Sequence, residues 1–208
     1  MSRIVYIATN NGHKVEEMQA ALPELLRGKI EFRPAKMLEH QGASGGNPID
    51  WDETGKTFQE NAVIKCRTLR KYTSNAVLGD DSGLVIPSLG GAPGIYSSRY
   101  AGPGATAAAN NAKLLASLLG ASGSAREGYF FCSLCFTSEE GNEFLFEERC
   151  DGQITEKPIG DEGFGYDPLF RLPGGRTMAE LMQTEKNLIS HRGKALAKLW
   201  AHLILGRA

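Results

Sequence analysis

Arg3-Ile4-Val5-Tyr6-Ile7-Ala8-Thr9-Asn10-Asn11-Gly12-His13-Lys14 decides the fold class. Its first six residues, rich in Ile and Val, read as a buried strand. Asn10-Asn11-Gly12 is turn chemistry. From His13 to Arg27, Val15, Met18, Ala21, Leu22 and Leu25 recur with helical spacing, and Glu16 and Glu17 sit in the first turns, where acidic side chains suit the helix dipole. Pro23 is expected to kink or split that helix. Strand, tight turn and helix in succession open an α/β protein.

Outward from that opening, Ile30 to Arg33 reads as a short strand and His40 to Pro48 as a Gly-rich surface loop. Thr57 to Tyr72 reads as a helix, with Thr57 as N-cap and Glu60 three residues on, the spacing of a capping box. Ala76 to Leu78 is a strand leading into Gly79-Asp80-Asp81-Ser82-Gly83, and Leu84 to Ile86 is expected to continue it beyond a break there. Gly90 to Gly94 and Gly120 to Gly128 read as loops flanking a helix from Thr106 to Leu119. Tyr129–Thr137 and Glu143–Cys150, separated by Glu140-Gly141-Asn142, are expected to pair as a hairpin. Ile154 is read as starting another extended segment, and Gly160 to Phe170 as a Gly-rich loop. Thr184 to Leu205 is helical, broken near His191-Arg192-Gly193. Strands and helices mix without strict alternation, and no internal repeat is visible.

The bulk numbers bound the function. The chain has 208 residues, 41% hydrophobic and 23% charged, ordinary values for a globular protein. Lys plus Arg is 23 and Asp plus Glu is 24, a net charge of -1 that disfavours nucleic-acid polymers and leaves room for a small anionic ligand. A membrane span needs about 18 consecutive apolar residues, and no such run is present. The opening apolar stretch is too short for a signal peptide, so a cytoplasmic location is expected. Four cysteines are too few for a disulfide scaffold. Cys132 and Cys135 form a lone CxxC inside an apolar strand pattern, where residues three apart face opposite ways.

Five groups of residues carry chemistry. Thr9 to Lys14 joins a strand end to a helix N-terminus, a natural anion site, although read alone it also fits an ordinary turn with an Asn cap. The P-loop pattern GxxxxGK[ST] is absent. Asp80-Asp81 places two carboxylates after an apolar run, an arrangement that calls for a cation such as Mg2+, or else for a solvated turn. Glu53 precedes a helix on which Asn61 and Lys65 share a face; spacing alone equally fits a solvated helix surface. In Gly163-Phe164-Gly165-Tyr166-Asp167-Pro168, two glycines let Phe164 stand at a loop tip and stack on a planar base, whereas most Phe residues are core. Lys186 with Ser190-His191-Arg192 offers donors to a carbonyl-bearing base edge, or simply a basic helix terminus.

Their order resembles the inosine triphosphate pyrophosphatase family. The likeness runs from Thr9 to Arg192: Thr9-x-Asn11-x-x-Lys14, Glu53-Thr54-Gly55 with Thr57-Phe58 and Glu60-Asn61-Ala62, Asp80-Asp81-Ser82-Gly83-Leu84, Gly90-Gly91-Ala92-Pro93-Gly94-Ile95-Tyr96-Ser97, Arg99-Tyr100, the Gly163–Pro168 string and Ser190-His191-Arg192-Gly193. Each string is weak, but together in this order they are specific. The resemblance implies an α/β fold with a long mixed sheet and flanking helices. It implies a single domain over 1–208, in two interleaved lobes around a substrate cleft. It implies hydrolysis of inosine, deoxyinosine or xanthosine triphosphate to the monophosphate and pyrophosphate, with Mg2+ as cofactor and a homodimer as the assembly.

By position, the resemblance places the triphosphate on the turn Thr9, Asn10, Asn11, Gly12, His13 and Lys14, helped by Lys65. Glu53 and Asp81 would place Mg2+ with Asp80 close by, and Asp81 would activate water. Ser82 would touch the nucleotide. Phe164 would stack on the purine, and Gly165, Tyr166, Asp167, Lys186, His191 and Arg192 would line the base pocket. The chain departs from the family pattern at His13, where Gly is usual, at Pro103-Gly104, where acidic residues are usual, and in the long 38–52 loop. Two other readings fit the same strings: a nucleotide sensor that does not hydrolyse, and a pyrophosphatase of related fold with pyrimidine substrates.

Overall fold

The computed structural model describes residues 2–9, 11–40, 45 and 47–206; Asn10 and part of the expected 40–48 loop lie outside them. Strand β1 (Arg3–Ala8) leads into α1 (Gly12–Ala20), β2 (Ile30–Pro34) and the short α2 (Lys36–His40). Then come α3 (Phe58–Arg70), β3 (Ala76–Val85), α4 (Ala107–Ser117), β4 (Glu127–Thr137) and β5 (Glu143–Ile154). The chain closes with β6 (Phe170–Arg171), α5 (Gln183–Ile189) and α6 (His191–Ile204). The six strands form one sheet in the order β2-β1-β3-β4-β5-β6. β1 runs parallel to both β2 and β3, while β5 and β6 are antiparallel, so the sheet is mixed as expected.

Several local expectations meet their physical reasons here. Pro23 does split the first helix: α1 stops at Ala20 and a separate 3-10 turn covers Glu24–Leu26. Thr57 caps α3 by accepting from the Glu60 amide at 3.1 Å. The reciprocal half of a capping box is replaced, because the Glu60 carboxylate takes the Lys56 amide (2.6 Å). The C-terminal helices break at Ser190, whose extended ψ of 157° ends α5 before His191 begins α6. Ile154 ends β5 instead of starting a new segment.

The break expected at Gly79–Gly83 does not exist: β3 runs unbroken through all five residues. That continuity controls the site. Within a strand, alternate side chains face opposite sides. Ala76 and Leu78 join Val5, Ile7, Cys132, Leu134 and Phe136 in one core, with Met18 of α1. Val77 joins Tyr6, Ala8 and Cys135 in another, with Ala62, Cys66 and Leu69 of α3. Cys132 and Cys135 therefore lie on opposite faces, and all four cysteines are free thiols.

The chain divides into two compact units. The first comprises residues 1–81, 132–147 and 193–208, and contains both of those cores. The second comprises residues 82–131 and 148–192. Its own core gathers Leu84, Ile86, Leu114, Phe130, Tyr166 and Phe170. No helix among the described residues is long and apolar enough to cross a membrane.

Candidate active site

In the first unit the sheet register places the charges. β1 pairs with β3 only as far as Ala8 opposite Gly79. The next carbonyl, that of Asp80, lies past the end of β1, and it accepts from Lys65 Nζ at 3.0 Å and Lys14 Nζ at 3.5 Å. Parity then separates the two carboxylates. Asp80 shares the face of Ala76 and Leu78, and its carboxylate pairs with Lys14 of α1; the Cys132 thiol is 3.8 Å away. Asp81 shares the face of Val77, where Lys65 of α3 reaches it at 2.7 Å. The same Lys65 ammonium is held by Glu53 at 2.8 Å. Close packing of α3 on β3 makes this possible: a side chain on Gly79 would meet the Ala62 carbonyl at 2.4 Å.

This cluster is largely dry. Asp80 is fully buried, and Asp81 and Lys65 are 6% and 5% exposed. Burial raises the Asp81 carboxyl above the usual carboxylate range, against the pull of Lys65 and Lys14. Burial works to lower Lys65 as well, but the charges of Asp81 and Glu53 outweigh it, and the ammonium ends above its ordinary value. Three carboxylates and two lysines meet in this cluster. Buried carboxylates are held by cationic partners or coordinate a metal.

The oxygens of Glu53 and Asp81 already converge on one cationic nitrogen. Hard oxygen donors, few in number and aimed at one point, fit Mg2+, which is commonly held by one or two carboxylates plus substrate phosphates. Among the described residues no group of three or more His, Cys, Asp or Glu side chains could hold a metal ion.

The turn after β1 is built as a helix start. Thr9 Oγ1 accepts from the Asn11 amide, and Asn11 Oδ1 caps α1 by accepting from the His13 amide, both at 3.1 Å. Asn11, Gly12 and His13 are exposed and Thr9 is half-buried. The Asn cap is therefore real, and the side-chain N–H groups of Asn11 and the hydroxyl of Thr9 can still donate.

The second unit carries the aromatic group. Asp167 Oδ2 accepts from the Phe164 amide at 2.8 Å and from Lys186 Nζ at 2.7 Å. The loop is pinned further by Asn111, which donates to the Gly165 carbonyl at 3.0 Å, and Tyr166, whose hydroxyl donates to the Ser97 carbonyl at 2.9 Å. Burial pushes the Tyr166 phenol far above its ordinary range. Phe164 is half-buried and belongs to no core cluster. Lys186 Nζ lies 4.8 Å from the centre of its ring and the Arg192 guanidinium carbon 5.8 Å, both within cation–π range. Arg192 also donates to Ser82 Oγ at 2.6 Å. His191 stacks on Phe130, with ring centres 4.8 Å apart and planes 12° apart.

The expected residues thus fall into two groups. Lys14, Glu53, Lys65, Asp80 and Asp81 meet in the first unit; Ser82, Phe164, Asp167, Lys186 and Arg192 meet in the second. Tyr166 holds a backbone carbonyl by its hydroxyl and His191 packs on a ring. Asn10 lies outside the described residues. Sequence reasoning put both lysines on phosphate and overlooked their carboxylate partners. It placed Asn61 beside Lys65 without a task, and overlooked Asn111, which is half-buried on α4.

Fold and charges define a class: a mixed-sheet α/β protein with a buried carboxylate–lysine cluster where a parallel strand ends. The pattern of the Ham1 family matches residues 5–202, and the chain belongs to that family. It is 44% identical over 207 residues to a dITP/XTP pyrophosphatase of Geobacillus kaustophilus, covering 98% of this chain and 97% of the other. It is 43% identical over 199 residues to a dITP/XTP pyrophosphatase of an Exiguobacterium species, covering 95% of each. Among solved structures, a HAM1 protein from Coxiella burnetii is 40% identical with a TM-score of 0.82, covering 99% of this chain and all of that one.

Proposed function

We propose that the protein hydrolyses inosine, deoxyinosine and xanthosine triphosphates to the monophosphate and pyrophosphate. One observation carries the reading: Glu53 and Asp81 converge on a single cationic point inside a buried cluster of carboxylates. A polyanionic substrate approaches such a cluster only with a cation. Relatives named dITP/XTP pyrophosphatase over the full chain length support the substrate class.

In this reading Glu53 and Asp81 hold Mg2+. The chemistry a divalent ion supplies there is neutralisation of phosphate charge and a lowered pKa for water. Lys14 and Lys65 then turn their ammonium groups to the phosphates, and the amides and side chains of the Thr9–Lys14 turn hold the chain of phosphates at the α1 N-terminus. Asp81 is the carboxylate placed to act as the base there. It orients the water that attacks the α-phosphorus, takes its proton, and pyrophosphate leaves. Phe164 stacks on the base, and His191 and Arg192 donate toward its 6-oxo group. An adenine amino group leaves those donors mismatched, which costs affinity.

The four free, buried thiols suit a reducing compartment, so the cytoplasm is the proposed location. A homodimer, proposed from the family resemblance, is checked by light scattering. The deciding experiment is turnover of inosine, xanthosine, adenosine and guanosine triphosphates with Mg2+, scoring pyrophosphate against phosphate. Pyrophosphate release from the 6-oxo deaminated bases, abolished by excess chelator and restored by Mg2+, is expected. Release of phosphate alone, or full turnover in chelator, refutes the reading.

A further inference from the structure

Resting on that reading, we propose that Asn61 is a positioning residue that sets the spacing of Glu53 and Asp81. Asn61 is fully buried on α3, one turn before Lys65. Its amide nitrogen donates to Asp81 Oδ2 at 3.2 Å. Its carbonyl oxygen accepts from the Gly55 amide at 2.9 Å, two residues after Glu53. The amide cannot be reversed: the Gly55 N–H needs an acceptor and the Asp81 carboxylate needs a donor. Lys65 takes the other Asp81 oxygen at 2.7 Å, so the carboxylate plane is fixed from both ends by one helix face.

Gly55 supplies a second, independent sign of the same link. A side chain there would meet Asn61 Oδ1 at 2.5 Å and the Glu60 Cβ at 2.8 Å. The loop carrying Glu53 therefore comes close to the helix only through glycine, at the point where Asn61 catches it. One neutral amide ties both carboxylates to α3. A lysine in its place would add charge, and an aspartate would repel Asp81. Because the donor is neutral, it holds Asp81 without adding charge to the cluster.

The test is a double-mutant cycle on the full-length protein with inosine triphosphate and Mg2+. Asn61→Ala should lower kcat at least tenfold while KM stays within about threefold, with a melting temperature near wild type. In the Asp81→Asn background the same change should lower the residual kcat less than twofold, because the carboxylate whose spacing from Glu53 it sets is gone. Asn61→Asp is the second variant, should Asn61→Ala fold poorly. It keeps the size and the acceptor for Gly55 but replaces the donor by a like charge, and it should lower kcat in the same way at pH 8 and above. Manganese titrated directly onto the substrate-free protein should bind more weakly in both variants, independently of turnover. Wild-type kcat in either folded variant, or equal losses in both backgrounds, overturns the proposal. A wild-type protein that releases no pyrophosphate overturns the functional reading itself, and this inference with it.

Discussion

Asp80 and Asp81 are adjacent in the chain, yet each has its own lysine because a strand turns neighbouring side chains to opposite faces. That division gives them different tasks. Asp80 is fully buried against Lys14, and in the proposed function Asp81, with Glu53 and Lys65, is where proton transfer belongs. Asp81→Asn keeps the shape and removes the charge. It should fold as wild type by circular dichroism and lose at least about a hundredfold in kcat, the low end for a positioned acid–base group; near-wild-type turnover would remove Asp81 from the chemistry. In the proposed function, base selection also rests on single residues. Stacking on Phe164 uses a face every base has, worth about 1–3 kcal/mol. Phe164→Ala should therefore lower kcat/KM for inosine and adenosine triphosphates by similar factors, roughly 5- to 150-fold. Arg192→Ala should reduce the inosine-to-adenosine ratio, since only inosine has the oxygen that loses a donor. An unchanged ratio would move base reading away from Arg192.

At the scale of elements, α3 organises the charged cluster, because Asn61 and Lys65 lie one turn apart on it. Its start is secured by Thr57 Oγ1 on the Glu60 amide. Thr57→Ala removes that cap at about 1 kcal/mol, which for a protein of this size lowers Tm by roughly 2–4 °C. A calorimetric scan in which Thr57→Ala melts with wild type would show that the cap contributes nothing. This helix was largely legible in the sequence: the span, the N-cap and the shared face of Asn61 and Lys65 follow from local spacing. The continuity of β3 was not. Gly79 and Gly83 around two aspartates resemble a turn by composition, and only burial on both faces holds them extended. Pro23 acted as its covalent geometry demands, because the ring removes an amide wherever it stands.

At the scale of the molecule, each unit has its own core, and the chain passes from one to the other between Asp81 and Ser82. The first unit ties distant segments of sequence together with few charges. Arg3 of β1 grips Glu139, beyond the end of β4, with Nε at 2.8 and 2.9 Å from its two carboxylate oxygens. That hydrogen bond holds the Glu139 carboxyl below its ordinary 4.5. A carboxyl lowered in the folded state stabilises the protein above its unfolded pKa, and that gain is lost as pH falls through the folded value. Glu139→Gln should then melt below wild type at pH 7, and the gap should close as the pH drops below about 4.5. A gap that is constant between pH 7 and pH 3 rules out this ion pair as its source.

Periodicity and turn chemistry act within a few residues. From them the sequence alone determined the strand–turn–helix opening, the α3 cap, the split at Pro23, the hairpin of β4 and β5, and the strings that mark the family. The partners of the charges were decided only in three dimensions. Lys14 meets Asp80 across 66 residues and Lys65 meets Asp81 across 16. An ion pair depends on which atoms come within about 3 Å, and that follows from where β1 ends against β3 and how closely α3 packs on Gly79. Those two contacts are set by the whole sheet and core, which no local spacing encodes.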